Sequence, residues 1–341
     1  MNHRFLKAPE SGAAHCSRDL APRAELKHRN QASGGRSRSN CPPFLLKKRL
    51  MVNFKNISLT ARLTAYMRQY SDIPFAKDVA NRLRAEEAFE KLLRDNELSP
   101  KDLLWYAPIL ELRYKSVTET IRKLRATQVL ELASGFSLRG LAVTQDPKVT
   151  YVESDLEELT EEKASLIADL RRQYRLAEHG NLHLVTADAL DRSQLRSAAK
   201  HFRREQPIAV VNEGLLQYLS ANEMATVARN IRDLLMEFDG LWITPDFSLK
   251  QDVQDVSEQQ RRFRRVVAAA TERTMYNNAF DDNEQLLAFF DGLGLQTRVL
   301  NAVDAAPNVV SLDALKLSHQ ILDTAKSKLR LWVLSLDDTR Q

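Results

Sequence analysis

The hydrophobic pattern divides the chain into an apolar-poor start, a helical stretch and an alternating core. Between residues 57 and 108 apolar side chains recur three and four apart: Leu59, Leu63, Tyr66, Met67 and Tyr70, then Val79, Leu83, Ala88, Leu92 and Leu93, then Leu103, Leu104 and Ala107. That spacing stacks them on one helix face, and Pro108, which has no backbone N–H to donate, is expected to end the last of these helices. Another helix is expected over 110–124. From there short apolar runs take over at 128–132, 149–153, 183–186, 208–212 and 241–245, with helical stretches ending near 174 and 204 and another over 221–238. Strands alternating with helices predict a parallel sheet covered on both faces, because a strand returns parallel to its neighbour only through a crossover. Residues 250–280 read as a charged helical insertion, and 283–290 as a helix closed by Gly292. Two last runs, 296–300 and 329–336, have only a short helical stretch over 311–322 between them. The fold class is therefore α/β: a doubly wound, Rossmann-like, mostly parallel seven-stranded sheet with an N-terminal helical cap. The expected organisation is a tail over 1–50, a cap over 51–125, and a core over 126–341 that carries the insertion.

Charge and cysteine usage change this picture only at the N-terminus. The chain of 341 residues carries +5, but residues 1–50 hold eleven Lys and Arg against three acids, so the remainder carries −3. The basic balance belongs to the tail, which disfavours a nucleic-acid-binding body. Residues 1–50 are rich in Ser, Gly, Asn and Arg, with Ser33-Gly34-Gly35 and Cys41-Pro42-Pro43 as breakers. They bury too little apolar area to offset ordering entropy and are expected to be disordered, with order beginning near Met51, itself a second candidate start. Cys16 and Cys41 both lie in the tail, so residues 51–341 hold no disulfide, thiolate zinc site or cysteine nucleophile, which suits a reducing cytoplasm. No apolar run approaches the roughly 18 residues of a membrane-spanning helix. His179, His183, His201 and His319 show neither triad nor metal spacing, which disfavours a hydrolase or a metal centre.

Candidate chemistry collects at strand ends. In open α/β sheets ligands bind beyond the carboxyl ends of the strands, where strand order reverses. The first strand ends in Glu131-Leu132-Ala133-Ser134-Gly135, where small side chains let backbone approach a ligand. This is not G-x-G-x-x-G, since Ala133 holds the first glycine position, and no Gly-Lys-Ser/Thr follows to make a P-loop. Ser137 reads G-x-S-x-x-G, one residue out of register for a nucleophile elbow. Glu153 and Asp155 follow the second strand, Asp188 the third, and Asn212-Glu213-Gly214 the fourth. A carboxylate there can accept both hydroxyls of a ribose diol. Each acid also has a structural reading: Asp155 with Glu158 has capping-box spacing, Asp188 suits a turn, and Glu213 suits a buried salt bridge.

Three blocks together resemble the leucine carboxyl methyltransferase-like family of class I S-adenosylmethionine (SAM) methyltransferases, which includes polyketide-type O-methyltransferases. They are the segment Glu131-Leu132-Ala133-Ser134-Gly135-Phe136-Ser137-Leu138-Arg139, the segment Tyr151-Val152-Glu153-Ser154-Asp155-Leu156-Glu157-Glu158-Leu159 followed by Lys163, and Val211-Asn212-Glu213-Gly214-Leu215-Leu216-Gln217-Tyr218-Leu219. The third is the most specific, since the family has Glu-Gly-Leu followed by Tyr-Leu or Tyr-Met there. The resemblance spans about residues 55–336 and implies SAM as cofactor and an antiparallel closing strand pair. It further implies a SAM loop at Ala133 and Gly135 following Glu131, a ribose acid at Asp155 with Glu153 as second choice, and an adenine-side pair at Asp188 and Ala189. Glu213 would lie near the methionine portion, and Arg113 or Tyr114 would meet the SAM carboxylate. One departure is Ala133, where the family usually has glycine; an alanine serves there if its φ is negative.

The resemblance implies O-methyl transfer to a carboxylate or hydroxyl of a small-molecule or protein acceptor. Methyl transfer from a sulfonium is an in-line displacement, so positioning dominates. A carboxylate acceptor is already ionised, whereas a hydroxyl calls for a base, for which Tyr218 and Asp246 are candidates. Tyr66, Tyr70, Trp105, Tyr106 and Tyr276 are candidates to line the acceptor pocket, with ordinary helix packing as the alternative. The cluster Arg261, Arg262, Arg264 and Arg265 reads as a solvated face or as a contact for an acidic substrate. Two other classes compete: a non-catalytic SAM- or nucleotide-binding regulatory module, and an NAD(P)-dependent oxidoreductase, which the failed glycine pattern disfavours. The expected partner is a small molecule, with no membrane or metal and a cytoplasmic location.

Overall fold

The computed structural model describes residues 54–306 and 308–337, so the expected disordered tail and both cysteines lie outside the described residues. Ahead of the sheet come α1 (Phe54–Arg68), α2 (Ala76–Arg82), α3 (Ala85–Asp95), α4 (Pro100–Leu104) and α5 (Ala107–Lys123). Pro108 does not end a helix, contrary to the sequence reading. It occupies the first turn of α5, where a backbone N–H has no intrahelical acceptor and its absence costs nothing.

Strand and helix then alternate through β1 (Gln128–Leu132), α6 (Arg139–Val143), β2 (Thr150–Asp155), α7 (Glu157–Tyr174), β3 (Leu182–Thr186), α8 (Arg192–Ala198), β4 (Ile208–Asn212), α9 (Ala221–Phe238) and β5 (Gly240–Thr244). The chain continues with α10 (Lys250–Gln254), α11 (Glu258–Thr271), α12 (Asn283–Gly292), β6 (Leu295–Asn301), α13 (Ala302–Ala305), α14 (Ser311–Ala314), α15 (Gln320–Lys328) and β7 (Arg330–Leu336). No helix among the described residues is long and apolar enough to cross a membrane.

Seven strands form one sheet in the order β3-β2-β1-β4-β5-β7-β6. Strands β1 to β5 pair in parallel, while β7 inserts between β5 and β6 and runs antiparallel to both. The seven-stranded, mostly parallel sheet and its antiparallel closing pair therefore match expectation. The sequence moves outward from β1 to β3 and then returns to β4, so strand order reverses between β1 and β4. Their ends meet where Leu132 pairs with Asn212, and a crevice opens beyond that pair.

Apolar side chains on both sheet faces explain why the central strands read as unbroken hydrophobic runs. On one face Ile231, Leu234 and Leu235 of α9 pack with Leu130, Val210 and Trp242. On the other, Val117 and Ile121 of α5 meet Val129, Ala209, Val211 and Ile243. A third cluster joins Met67 of α1, Phe89 of α3 and Leu103 of α4 to Phe136, Leu138, Leu166 and the α11 residues Phe263 and Val267. Thus α1 and α11 lie beside the carboxyl ends of the strands. The last turn before β5 is tight: Gly240 has φ +121°, and a Cβ there would stand 1.9 Å from the Ile208 carbonyl oxygen. Gly240→Ala is expected to destabilise the protein by about 3 kcal/mol, seen as a lower urea midpoint at unchanged slope.

Candidate functional site

The turn after β1 is held from below. Ser134 N–H donates to the Ser154 carbonyl at 3.1 Å, and Lys163 of α7 donates to Ser134 Oγ at 2.9 Å while pairing with Glu153 at 2.7 Å. Glu153 also accepts the Gly140 N–H at 2.8 Å. Its carboxylate thus fastens α6 and α7 to β2, and it does not line the cavity. Glu131 is likewise engaged beneath the site, accepting from the Arg139 guanidinium and from the Tyr151 hydroxyl at 2.8 Å. Neither acid reaches the crevice, because each side chain points from mid-sheet to a buried cation.

Asp155 does reach it. Its two oxygens accept Gly135 N–H at 2.6 Å and Leu156 N–H at 2.8 Å, which leaves lone pairs facing the cavity it lines. The expected capping box is not formed: α7 begins after Leu156, with no side-chain cap bond. Burial pushes the Asp155 carboxyl above the usual range, and the two backbone donors offset this only in part. Asp188 follows β3 in a turn, accepting Leu190 N–H at 2.9 Å, and lines the cavity beside Ala189.

Glu213, after β4, sits between two arginines, with Arg68 Nη2 at 2.6 Å and Arg139 Nη2 at 2.7 Å. Burial raises its carboxyl, but Arg68, Arg139 and Arg113 outweigh burial and hold it below the usual glutamate range. Arg113 pairs with Asp246, which accepts three backbone N–H groups as well, from Gly214 at 2.9 Å, Leu215 at 2.8 Å and Leu216 at 3.0 Å. Asn212 Nδ2 adds a further bond to Asp246 at 2.7 Å. So Asp246 is a saturated anchor for the turn after β4 and lies outside the lining, which removes it as a candidate base.

These groups surround one cavity of about 290 Å³. Of the residues singled out in the sequence, Ala133, Gly135, Asp155, Asp188, Ala189, Glu213, Arg113 and Tyr114 line it, as do Tyr106 and Tyr218. The other proposed aromatics do not: Tyr66 stacks on Phe89 at 4.2 Å, and Trp105 lies edge-on to Phe263 at 5.8 Å. Tyr276 packs against the Arg264 guanidinium at 4.7 Å. Arg261 and Arg265 pair with Glu258, and Arg262 pairs with Asp102. Sequence reasoning passed over Arg68, Gln217 and Arg273, all in the lining, because a single polar residue in a helix or turn carries no periodic signal.

Ala133 departs from expectation. Its φ is +49°, in the left-handed region, where a Cβ crowds the following carbonyl oxygen. The turn keeps the geometry a glycine adopts freely, and the alanine bears the strain.

A loop of small residues, acids at successive strand ends and a shared cavity at the switch point match a family model, described as leucine carboxyl methyltransferase, over residues 60–232. The chain belongs to this family. As a family member it is a SAM-dependent methyltransferase on a Rossmann-like sheet, with SAM as its cofactor. Among solved structures, a DUF574 family protein from Streptomyces avermitilis MA-4680 is 14% identical, covers 81% of this chain and 96% of its own, and has a TM-score of 0.49. An O-methyltransferase family protein from Burkholderia thailandensis is 15% identical over 83% of this chain and 69% of its own, with a TM-score of 0.42. No curated protein matches the chain.

Replacing Ala133 by glycine is expected to raise stability by about 1 kcal/mol, read as a higher thermal midpoint; a lower midpoint would show that the turn is unstrained. The pH response of Glu213 has a definite sign. Its carboxyl is depressed in the fold, so its contribution is complete above the unfolded value and fades as pH falls through the folded one. Glu213→Gln should cost about 3 kcal/mol at neutral pH, and the gap to wild type should narrow below the unfolded glutamate value in chemical denaturation series.

Proposed function

We propose that this family member is an O-methyltransferase that methylates a carboxylate, with Ala133, Gly135, Asp155, Asp188, Ala189, Glu213 and Arg113 holding SAM. Gly135 supports the cofactor assignment, because its φ is +50° and, among the described residues other than its chain neighbours, no atom lies within 4 Å of where a Cβ would stand. The loop therefore leaves open space beside exposed backbone. Asp155 supplies free lone pairs for a ribose diol. Arg68 Nε is buried and lacks a partner among the described residues, a donor suited to an anionic group such as an amino-acid carboxylate. Helices α1, α4, α5 and α11, whose residues line or back the apolar end of the cavity, form the cap over the acceptor.

The observation that carries the acceptor class is the state of Glu213, Asp246, Tyr218 and Asp155 in and around the lining. Glu213 is held by two arginines, Asp246 is saturated, and the Tyr218 hydroxyl is pushed up to about 12 by burial, so it stays a neutral donor. Asp155 stands at the cofactor end, each oxygen accepting one loop N–H and keeping its remaining lone pairs for the ribose. None of these groups is poised to take a proton from a hydroxyl, whereas a carboxylate needs no proton removed. SAM, when bound, supplies a methyl group on a sulfonium that is open to in-line displacement by oxygen. The chain's own work is to orient: Tyr218 donates toward the acceptor oxygen, and Tyr106, Leu110, Phe263 and Met275 exclude water around it.

Calorimetry on the full chain should give micromolar SAM binding that Asp155→Asn weakens about 10- to 100-fold, the range for losing a charged hydrogen-bond acceptor. Labelled methyl transferred to a carboxylate is released by mild base as methanol, whereas an ether survives. A base-stable product would overturn the carboxylate reading.

A further inference from the structure

The turn after β4 presents a polar group that the chemistry above does not use. Gln217 is 5% exposed and lines the cavity, yet its side-chain Oε1 is buried without a hydrogen-bond partner among the described residues. Its position is fixed from behind. The Gln217 carbonyl accepts Tyr276 N–H at 2.8 Å, and the neighbouring Leu216 carbonyl accepts Asn278 Nδ2 at 2.7 Å.

Its surroundings sharpen the point. Tyr106, Leu110, Tyr218, Phe263 and Met275 make this end of the cavity mostly apolar. The arginines in the lining are taken: Arg113 pairs with Asp246, Arg273 with Glu223 at 3.1 Å, and Arg68 with Glu213, its one buried donor left open among the described residues, Nε, being assigned above to the cofactor carboxylate. No protein donor among the described residues reaches the Gln217 oxygen, and buried amide oxygens are rarely left unmade. The partner that completes it must arrive with the ligand.

We propose that Gln217 selects the acceptor by accepting a hydrogen bond from a hydroxyl on its apolar body, so that the preferred substrates are hydroxylated carboxylic acids rather than plain alkyl acids. This rests on the carboxylate reading. A site built to hydrogen-bond a substrate hydroxyl discriminates strongly against the analogue that lacks it, because the buried oxygen is then left unpaired.

The test uses the full chain loaded with S-adenosylhomocysteine and titrated calorimetrically with decanoic acid and a positional series of hydroxydecanoic acids. At least one hydroxy isomer should bind about tenfold more tightly than decanoic acid, and that ratio should fall to about one in Gln217→Leu. Gln217→Met, which keeps the length and removes the acceptor, repeats the measurement should the leucine variant not fold. SAM binding by either variant reports an intact cofactor site. Equal binding of the hydroxy and plain acids by wild type, or a preference that survives both variants, overturns the role of Gln217 and leaves the carboxylate reading standing. Binding of no acid in the series overturns both.

Discussion

Everything at the carboxyl end of the sheet depends on one buried guanidinium. Arg139 is fully buried, with Glu131 of β1 on one side and Glu213 of the turn after β4 on the other. Its Nε donates to Thr118 Oγ1 at 3.0 Å, and the guanidinium lies 4.3 Å from the Tyr114 ring centroid, so α5 is bound to the same charge. Glu213 then passes the link to Arg68 at the end of α1. Desolvating such a group is costly, and only multiple well-aligned partners offset it. Removing one partner would strand a buried charge, at a cost of about 3–5 kcal/mol. The spacing of Glu131 and Arg139 in the first block follows from this, since one lies on the strand and the other opens the helix across the turn.

A second clamp works beside the first. Asp246, at the end of β5, gathers three consecutive backbone N–H groups of the turn after β4 and the Arg113 guanidinium. Between them the two clamps neutralise most of the charge around the cavity and freeze the turn that carries Glu213, Gln217 and Tyr218. The result is a cavity with one end rich in satisfied polar groups, which we propose takes the cofactor, beside an apolar end. In that apolar end an unpaired amide oxygen stands out energetically, because the low-dielectric surroundings that strengthen a made hydrogen bond also penalise an unmade one.

Strain sits at the opposite wall. Ala133 holds a left-handed backbone that Gly135, two residues on, adopts without penalty. The conformation persists because Ser134 is fixed by Ser154 and Lys163, and Gly135 by Asp155. A loop over-determined in this way keeps its shape when a methyl group replaces a hydrogen.

The sequence alone determined the fold class, because the 3.6-residue period, the short buried runs and their alternation each have one architecture that buries them. It also located the loop after β1 and the acids at Asp155, Asp188 and Glu213, since small residues and carboxylates at strand ends are legible in one dimension. What it left open is which way each side chain points. Glu131 and Glu153 are as acidic as Asp155, but only the tertiary structure set Arg139 and Lys163 beneath them and turned them away from the crevice. Asp246 changed from candidate base to anchor for the same reason: its neighbours come from a different strand and from α5. Tyr66, Tyr70, Trp105 and Tyr276 were indistinguishable from Tyr106 by periodicity, and the crossing of α1, α4 and α11 decided which of them met solvent space. The backbone of Ala133 was likewise beyond reach, because φ at one residue is set by the contacts that hold its neighbours.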